Sequence, residues 1–545
     1  MDVQRLVIAV ALSLLVLFGW GYFFPPPPSP QEQAQQTASA PAGQSQGLEK
    51  APAPAASPAA SLGDLRPEQG GEALVQAGQT FRLVTPLYEA TINAADGSLA
   101  EFRLARYKES IKPGSPDIDL IGPKAAAIAP MRLFLGSQAT WKSVHSTDIA
   151  LRTNESKTLE FVGELSGIQI VRRITYSADS YLLSETVTLR NQSGNRIKGN
   201  LGFTLGAGYL SDPDDQYNTT RVAMLGASGF EEITSDTDLA KGVKMDAQVQ
   251  WGGVQSNYFL LALLARPEEG ATSSASFRAR YEGGVFVLTL DNSLGELDPG
   301  TEKTLRCDYF LGPKEISLLK AMPNHLDRAV DLGWFDFIAK PLLLLLNFLY
   351  GYVGNYGWAI IILTIIVKLV LWPLSQKSYK SMEQMKRLQP LMSSIREKYG
   401  NDRQKMNQEM MNLYKTYKVN PAGGCLPMFL QIPVFFGLYQ ALLNAIELRH
   451  APFITHLPFT DIIWLADLSV KDPFYITPLI MGGTMFLQQK MTPAPGDPTQ
   501  AKIMLFMPVI FTFLFLSFPS GLVVYWLVNN VLSIAQQWWM LRNKS

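Results

Sequence analysis

The stretch IILTIIVKLVLWPL, Ile361 to Leu374, is almost wholly apolar, yet Lys368 sits in its middle. A run of this kind suits a helix in hydrocarbon. The ammonium group either snorkels to a nearby interface or faces a wet cavity. Lys368 lies six residues before Leu374, roughly 9 Å inside that end of a helix at about 1.5 Å per residue. A lysine stem reaches about that far, so snorkeling stays open. Its surroundings favour the cavity. Thr364 is at i−4, on the same helical face. Gln431 interrupts PMFLQIPVFF, and Trp526, Asn529, Asn530 and Ser533 recur at i, i+3, i+4, i+7 in VVYWLVNNVLS. Polar groups at that depth normally face a bundle interior or water, so several such spans point to one shared hydrated space. Pro427, Pro433, Pro478 and Pro508 suit irregular helices around it.

Working outward, apolar runs crowd the last third of the 545 residues. Core spans are expected at about 358–374, 425–446, 474–490, 503–518 and 522–540. Leu6 to Phe24 makes a sixth, an N-terminal anchor over 1–24. A cleaved signal peptide is the rival reading, since Ala38-Ser39-Ala40 resembles a cleavage site, but that site lies well past the run and signal cores are usually about 7–15 residues, so the anchor is favoured. Trp334, Phe335, Phe337 and Ile338 alternate with Asp331, Asp336 and Lys340, so 321–356 reads as an amphipathic segment lying flat in the interface. Between Gln376 and Asn420 ten basic residues face four acidic ones, which places this loop in the cytoplasm. Alternation then puts the N-terminus inside and the region before the core outside. Met382, Met385, Leu388, Met392, Ile395 and Tyr399, then Met406, Met410, Leu413 and Tyr417, recur at helical spacing on either side of Gly400-Asn401-Asp402. A cytoplasmic helical hairpin is expected over 376–420, kinked near Pro390, with a methionine-lined seam. Such a seam serves packing, and its flexible methionines also suit varied apolar clients.

Residues 25–79, with PPPPSP and APAPAASPAAS, read as a Pro/Ala-rich linker expected to be a disordered or extended tether. From 80 to 320 short alternating strands are separated by turns, such as Asp96-Gly97 and Ser177 to Ser180, so an all-β sandwich is expected there. Net charge is zero, and Cys307 and Cys425 fall on opposite sides of the membrane, so no disulfide joins them. Four scattered histidines give no metal-ligand spacing. No nucleophile motif, phosphate loop or cofactor motif is present, and no nucleic-acid recognition is expected.

The segments NPAGGCLPMFLQIPVFFGLYQAL and QQKMTPAPGDPTQAKIMLFMPVIFTFLFLSFPSGLVVYW, with the basic hairpin and the intramembrane cation, resemble the YidC family of membrane protein insertases. The anchor and large outer β domain resemble its Gram-negative form, whose sandwich is similar to sugar-mutarotase folds. The resemblance implies a five-helix core over 357–541, enclosing a hydrophilic groove open to cytoplasm and lipid. It implies a non-enzymatic chaperone of the inner membrane whose partners are nascent membrane proteins, the bilayer, the Sec translocon and the ribosome. Groove positions match Lys368, Thr364, Gln431 and Trp526, with Asn529 on the same stripe; Met382, Met385, Met406 and Met410 would meet clients in the hairpin. Lysine replaces the arginine common in the family, so bidentate pairing is lost, and tryptophan stands at a frequent tyrosine position. The short run after Trp539 offers little for ribosome docking. Two other readings compete. A transporter for an anionic solute would use Lys368, but the core spans show no internal repeat. A tethered carbohydrate-binding domain would leave the core and hairpin unexplained.

Overall fold

The computed structural model describes residues 79–545, apart from 129, 137–138, 143–146, 246–247, 268–274, 401, 418, 420–425, 492–497 and 543–545. The side chains of a few helical residues, Met382 among them, also fall outside it. The anchor expected over 1–24, and the tether over 25–79 except Gln79, lie outside the described residues.

From Thr80 onward, alternation becomes strand. Ile168–Ser177 and Leu182–Asn191 bury every second side chain, as a strand with one face on a core must. They pair antiparallel across the Ser177 to Ser180 turn. They belong to a nine-stranded sheet that runs from Gly229–Ile233 at one edge to Thr140–Lys142 at the other. Its strand Phe259–Ala265, FLLALLA, beside the central strand Glu302–Pro313, is buried on both faces, which explains a continuous apolar run in place of alternation. Two five-stranded sheets accompany it. One contains Ile197–Ala207 and Val285–Leu297, and the other contains the hairpin Tyr88–Asn93 and Leu99–Lys108 around Asp96-Gly97. The layers meet closely: a Cβ on Gly252 would sit 2.4 Å from the Phe277 ring, so only glycine fits. Between the layers, Arg172 and Glu185, both fully buried, pair at 2.6 and 3.0 Å. Arg172 also donates to the Asp96 and Met131 carbonyls, and the Tyr309 hydroxyl donates to Glu185 (2.7 Å). A buried charge pair costs desolvation, and these extra bonds offset part of it.

After Pro313 the chain turns helical. After a short helix at Ile316–Lys320, eight longer helices follow among the described residues: α1 (Asp336–Val353), α2 (Tyr356–Val370), α3 (Trp372–Tyr399), α4 (Arg403–Thr416), α5 (Leu426–Asn444), α6 (Ile476–Met491), α7 (Pro498–Phe515) and α8 (Ser520–Arg542). α2 packs against α1 and α8, α5 against α1, and α6 against α7 and α8. By length and composition, one stretch among the described residues could cross a membrane as a single helix, Gly333–Val353. A second is gained if α2 and α3, bent by 59°, count as one. The sequence reading counts six spans. One of the six, the anchor at 1–24, lies outside the described residues; among the others, α6 is only 16 residues long, and α8 carries Asn529, Asn530, Ser533, Gln536 and Gln537, which lower its hydropathy.

The bend also shifts a boundary. The sequence places the first core span at 358–374, but α2 stops at Val370 and α3 begins at Trp372 with Pro373 in its first turn. Proline there lacks only an N–H that has no helical partner, so it starts a new helix readily. Pro390, where a kink was expected, lies inside an unbroken α3.

Candidate functional site

α2 and α8 together build the polar site. Thr364 and Lys368 stand one turn apart on α2, and Thr364, 1% exposed, donates back to the Ile360 carbonyl at 2.6 Å. On α8, Asn529 and Ser533 face them. Lys368 Nζ donates to Ser533 Oγ (2.6 Å) and Asn529 Oδ1 (3.3 Å), and Ser533 in turn donates to the Asn529 carbonyl (2.7 Å). The half-buried ammonium is therefore solvated by side-chain oxygens of the bundle.

These residues border a cavity lined by Thr364, Lys368, Ser375, Gln431, Tyr525 and Asn529, with Val367, Leu371 and Leu374 as its apolar wall. Among the described residues its lining includes no carboxylate. Its water-accessible space is about 20 Å³, enough for one or two water molecules. The positive charge thus has polar neighbours but no counter-ion in the cavity wall. An acidic group entering from outside would meet it without first breaking an ion pair.

Four of the groove residues expected from sequence, Lys368, Thr364, Gln431 and Asn529, come together here. Trp526 does not line this cavity. Its ring packs against Phe435 (4.6 Å, edge-on), Phe515 (5.3 Å) and Phe511 (6.3 Å). Asn530 turns toward α6 and donates to Thr484 (3.4 Å). The stripe read from i, i+3, i+4, i+7 is therefore divided among three neighbours. Sequence reasoning missed Tyr525, which is 2% exposed, lines the cavity and interacts with Gln431. The signal was its i, i+4 relation to Asn529, hidden because tyrosine reads as core.

In the hairpin, Asp402 caps α4 by accepting from the Lys405 N–H (3.0 Å). Met385 and Met410 pack into the seam with Leu388, Met392 and Val419, while Met406 is half-buried. Met382 lies on α3, but its side chain is outside the described residues.

Residues 80–345 match the YidC periplasmic domain family, and residues 348–545 match the family described as 60Kd inner membrane protein. Membrane protein insertase YidC of Nitratidesulfovibrio vulgaris (strain DSM 19637 / Miyazaki F) is 56% identical over 473 residues, 86% of this chain and 87% of that protein. The protein of the same name from Lawsonia intracellularis is 49% identical over 471 residues, 85% and 87% of the two chains. A solved active YidC insertase with its first transmembrane domain resolved covers 85% of this chain and 92% of its own, at 19% identity and a TM-score of 0.36. On the strength of the sequence relatives, this chain belongs to the YidC family of membrane protein insertases.

Proposed function

We propose that the cavity at Lys368 is the inner end of a client groove, through which this chain inserts and folds inner-membrane proteins. The observation carrying this is a half-buried ammonium held by Ser533 and Asn529, with no carboxylate among the described residues of the wall beside it. Moving a client's short hydrophilic outer segment through hydrocarbon is costly. Water and one fixed cation shorten that passage and attract the segment's acidic residues. The client's apolar helix then leaves sideways into lipid, and no nucleotide or cofactor is required.

The arrangement in the membrane belongs to the same proposal. α2, α5, α6, α7 and α8 span the bilayer with the anchor at 1–24, which starts in the cytoplasm. The β domain, a mutarotase-like sandwich, stands in the periplasm. α1 lies along the outer interface, a placement supported by exposed Trp334, Phe337, Phe348 and Tyr352 and by the Asp336–Lys340 ion pair at its start (2.9 Å). The hairpin of α3 and α4 meets clients in the cytoplasm, where the Sec translocon and the ribosome are further partners.

Insertion by the purified full chain in vesicles tests the electrostatic part. Lys368→Arg keeps the rate. Lys368→Ala lowers insertion of clients with acidic outer segments by at least about fivefold, since a charge pair at 4 Å is worth about 1 kcal/mol even in bulk water. Lys368→Glu lowers it further. Unchanged insertion by the Glu variant would refute the role of the charge.

A further inference from the structure

The loop after α5 turns the corner between the helices and the β domain, and it carries a side chain whose charge changes near neutral pH. His450 adopts a left-handed backbone (φ +59°), and its side chain is 22% exposed. That conformation is strained for such a residue and persists where the surroundings impose it. The ring lies between two charges. Arg449 Nη1 is 3.5 Å from Nδ1, and Asp467 Oδ2 is 3.8 Å from Nε2. A guanidinium nitrogen only donates, so the first contact requires an unprotonated Nδ1. Nε2 then carries the ring proton and faces Asp467. That carboxylate is 7% exposed and already engaged, since its Oδ1 accepts from the Ser469 N–H (2.9 Å) and hydroxyl (2.6 Å).

Both neighbours of the ring are anchored. Arg449 Nη2 donates to the Glu109 carbonyl (3.2 Å), and the guanidinium lies 5.5 Å from the centre of the Phe259 ring, so it reaches two strand ends of the β domain. The Asp467 carbonyl accepts from Ser520 Oγ (3.1 Å). The Ser520 and Gly521 N–H groups donate to the Val470 and Leu468 carbonyls (2.7 and 3.0 Å). These bonds tie the loop to the start of α8, the helix that bears Asn529 and Ser533. His450 therefore stands in a chain of contacts from the β domain, through Arg449, to α8. Among the described residues, the other titratable groups at this corner are Tyr258, Tyr107 and Glu109, which face Arg449 from the β domain, with Asp215 beyond Tyr258. Glu447 is turned away and accepts from Asn347 of α1 (2.9 Å).

We infer that His450 is a proton-operated latch: a proton taken up on Nδ1 turns its contact with Arg449 into a repulsion and loosens the β domain from the helices. The protonated nitrogen can no longer accept, and two cations then sit 3.5 Å apart. Asp467 gives little compensation, because at 3.8 Å it lies beyond hydrogen-bond length. Burial, and then the Arg449 charge, hold the imidazole below its ordinary range, and Asp467 offsets only part of this. An imidazole freed from the corner titrates near 6.5. The open corner thus binds a proton that the closed corner refuses, so closure is strongest above about pH 6.5 and weakens as the pH falls below it. The latch faces the periplasm in the membrane arrangement proposed above; its chemistry does not depend on that arrangement or on insertion activity.

Hydrogen exchange of the full chain in detergent at pH 7.5 and pH 5.5 tests it, read as protection factors, which remove the intrinsic pH dependence of exchange. Protection at residues 106–109 and 443–451 is expected to fall at pH 5.5 by at least about threefold and by no more than about tenfold, the limit for one proton on a group of pKa about 6.5. The buried strand Phe259–Ala265 keeps its protection. His450→Asn removes the step, since asparagine tolerates the left-handed backbone and carries no charge. Arg449→Gln lowers protection at both pH values and shrinks the step, because the repulsion is gone. Protection at the two edges that is unchanged or higher at pH 5.5 would overturn the latch. So would a His450→Asn chain that folds and keeps the step. Should that variant fail to fold, an undiminished step in Arg449→Gln overturns it instead. None of these readouts involves a client, so a failed role for Lys368 would leave them unchanged.

Discussion

Lys314 shows what a single residue can cost. It is buried at the end of the last strand, and its Nζ donates to the Ser256 carbonyl at 3.1 Å. Burial, reinforced by the nearby Arg221 guanidinium, holds its ammonium well below the ordinary lysine range. An unfolded lysine titrates near 10.4. Between the lowered folded value and about 10.4, the unfolded chain binds a proton that the folded chain releases, so stability rises with pH across that window. Replacing a buried charge by an apolar side chain of similar volume is often stabilising by about 1 kcal/mol or more. Lys314→Met is therefore expected to raise the thermal midpoint of the β domain at pH 7 by about 2–4 °C. It should also flatten the gain between pH 7 and pH 9, followed by circular dichroism of the full chain in detergent. A lower midpoint at both pH values would show that the lysine is needed where it is. Lys368 differs in kind, because side-chain oxygens of α8 solvate it and it borders the polar cavity.

At the scale of elements, helix starts and crossings carry the detail. Gly357, in the first turn of α2, lies against Phe453 of the loop between α5 and α6, and a Cβ there would come within 2.0 Å of the ring. Glycine usually weakens a helix, so its use here reflects the close approach. Asn355 caps α2 from the same corner, accepting from the Trp358 N–H (3.2 Å) while its amide donates to the Phe453 carbonyl (3.2 Å). Gly357→Ala is expected to destabilise by about 1–3 kcal/mol through overpacking. Phe453→Ala in the same chain should recover much of that loss in a double-mutant cycle read by thermal unfolding. Additive losses would mean that the two residues do not meet. Element types and most turns were legible from periodicity, as at Asp96-Gly97 and Gly400 to Asp402. The end of α2 was not, since Leu371-Trp372-Pro373 reads as a continuation of the span until the bend is seen.

Among the described residues, a seam joins the β domain to the helical region at the ends of α5, α7 and the loop after α5. Tyr217 hydrogen-bonds with Ser517 (3.1 Å) and packs on Phe518 (5.4 Å). Asn257 donates to the Leu443 carbonyl (3.4 Å). Arg449 lies over the Phe259 ring (5.5 Å) and donates to the Glu109 carbonyl (3.2 Å). Domains joined by small polar seams move relative to one another by default. Arg449→Ala is thus expected to raise hydrogen exchange at residues 106–109 and 443–451 while leaving the buried strand Phe259–Ala265 protected. Exchange unchanged at both edges would mean that Arg449 does not hold the seam.

By itself the sequence determined the β domain, the helical core, the basic hairpin and the family, because periodicity, charge asymmetry and long segment motifs are local and survive without coordinates. It also pointed to Lys368, since a charge within an apolar run stands out in one dimension. Tertiary structure alone decided which polar groups meet that charge. Trp526, Asn529 and Asn530 share one stripe of α8, yet each meets a different neighbour, because the facing helices approach from different sides. The meeting of Lys368 with Ser533 and Asn529 depends on how α2 crosses α8, and no spacing within either helix encodes that crossing.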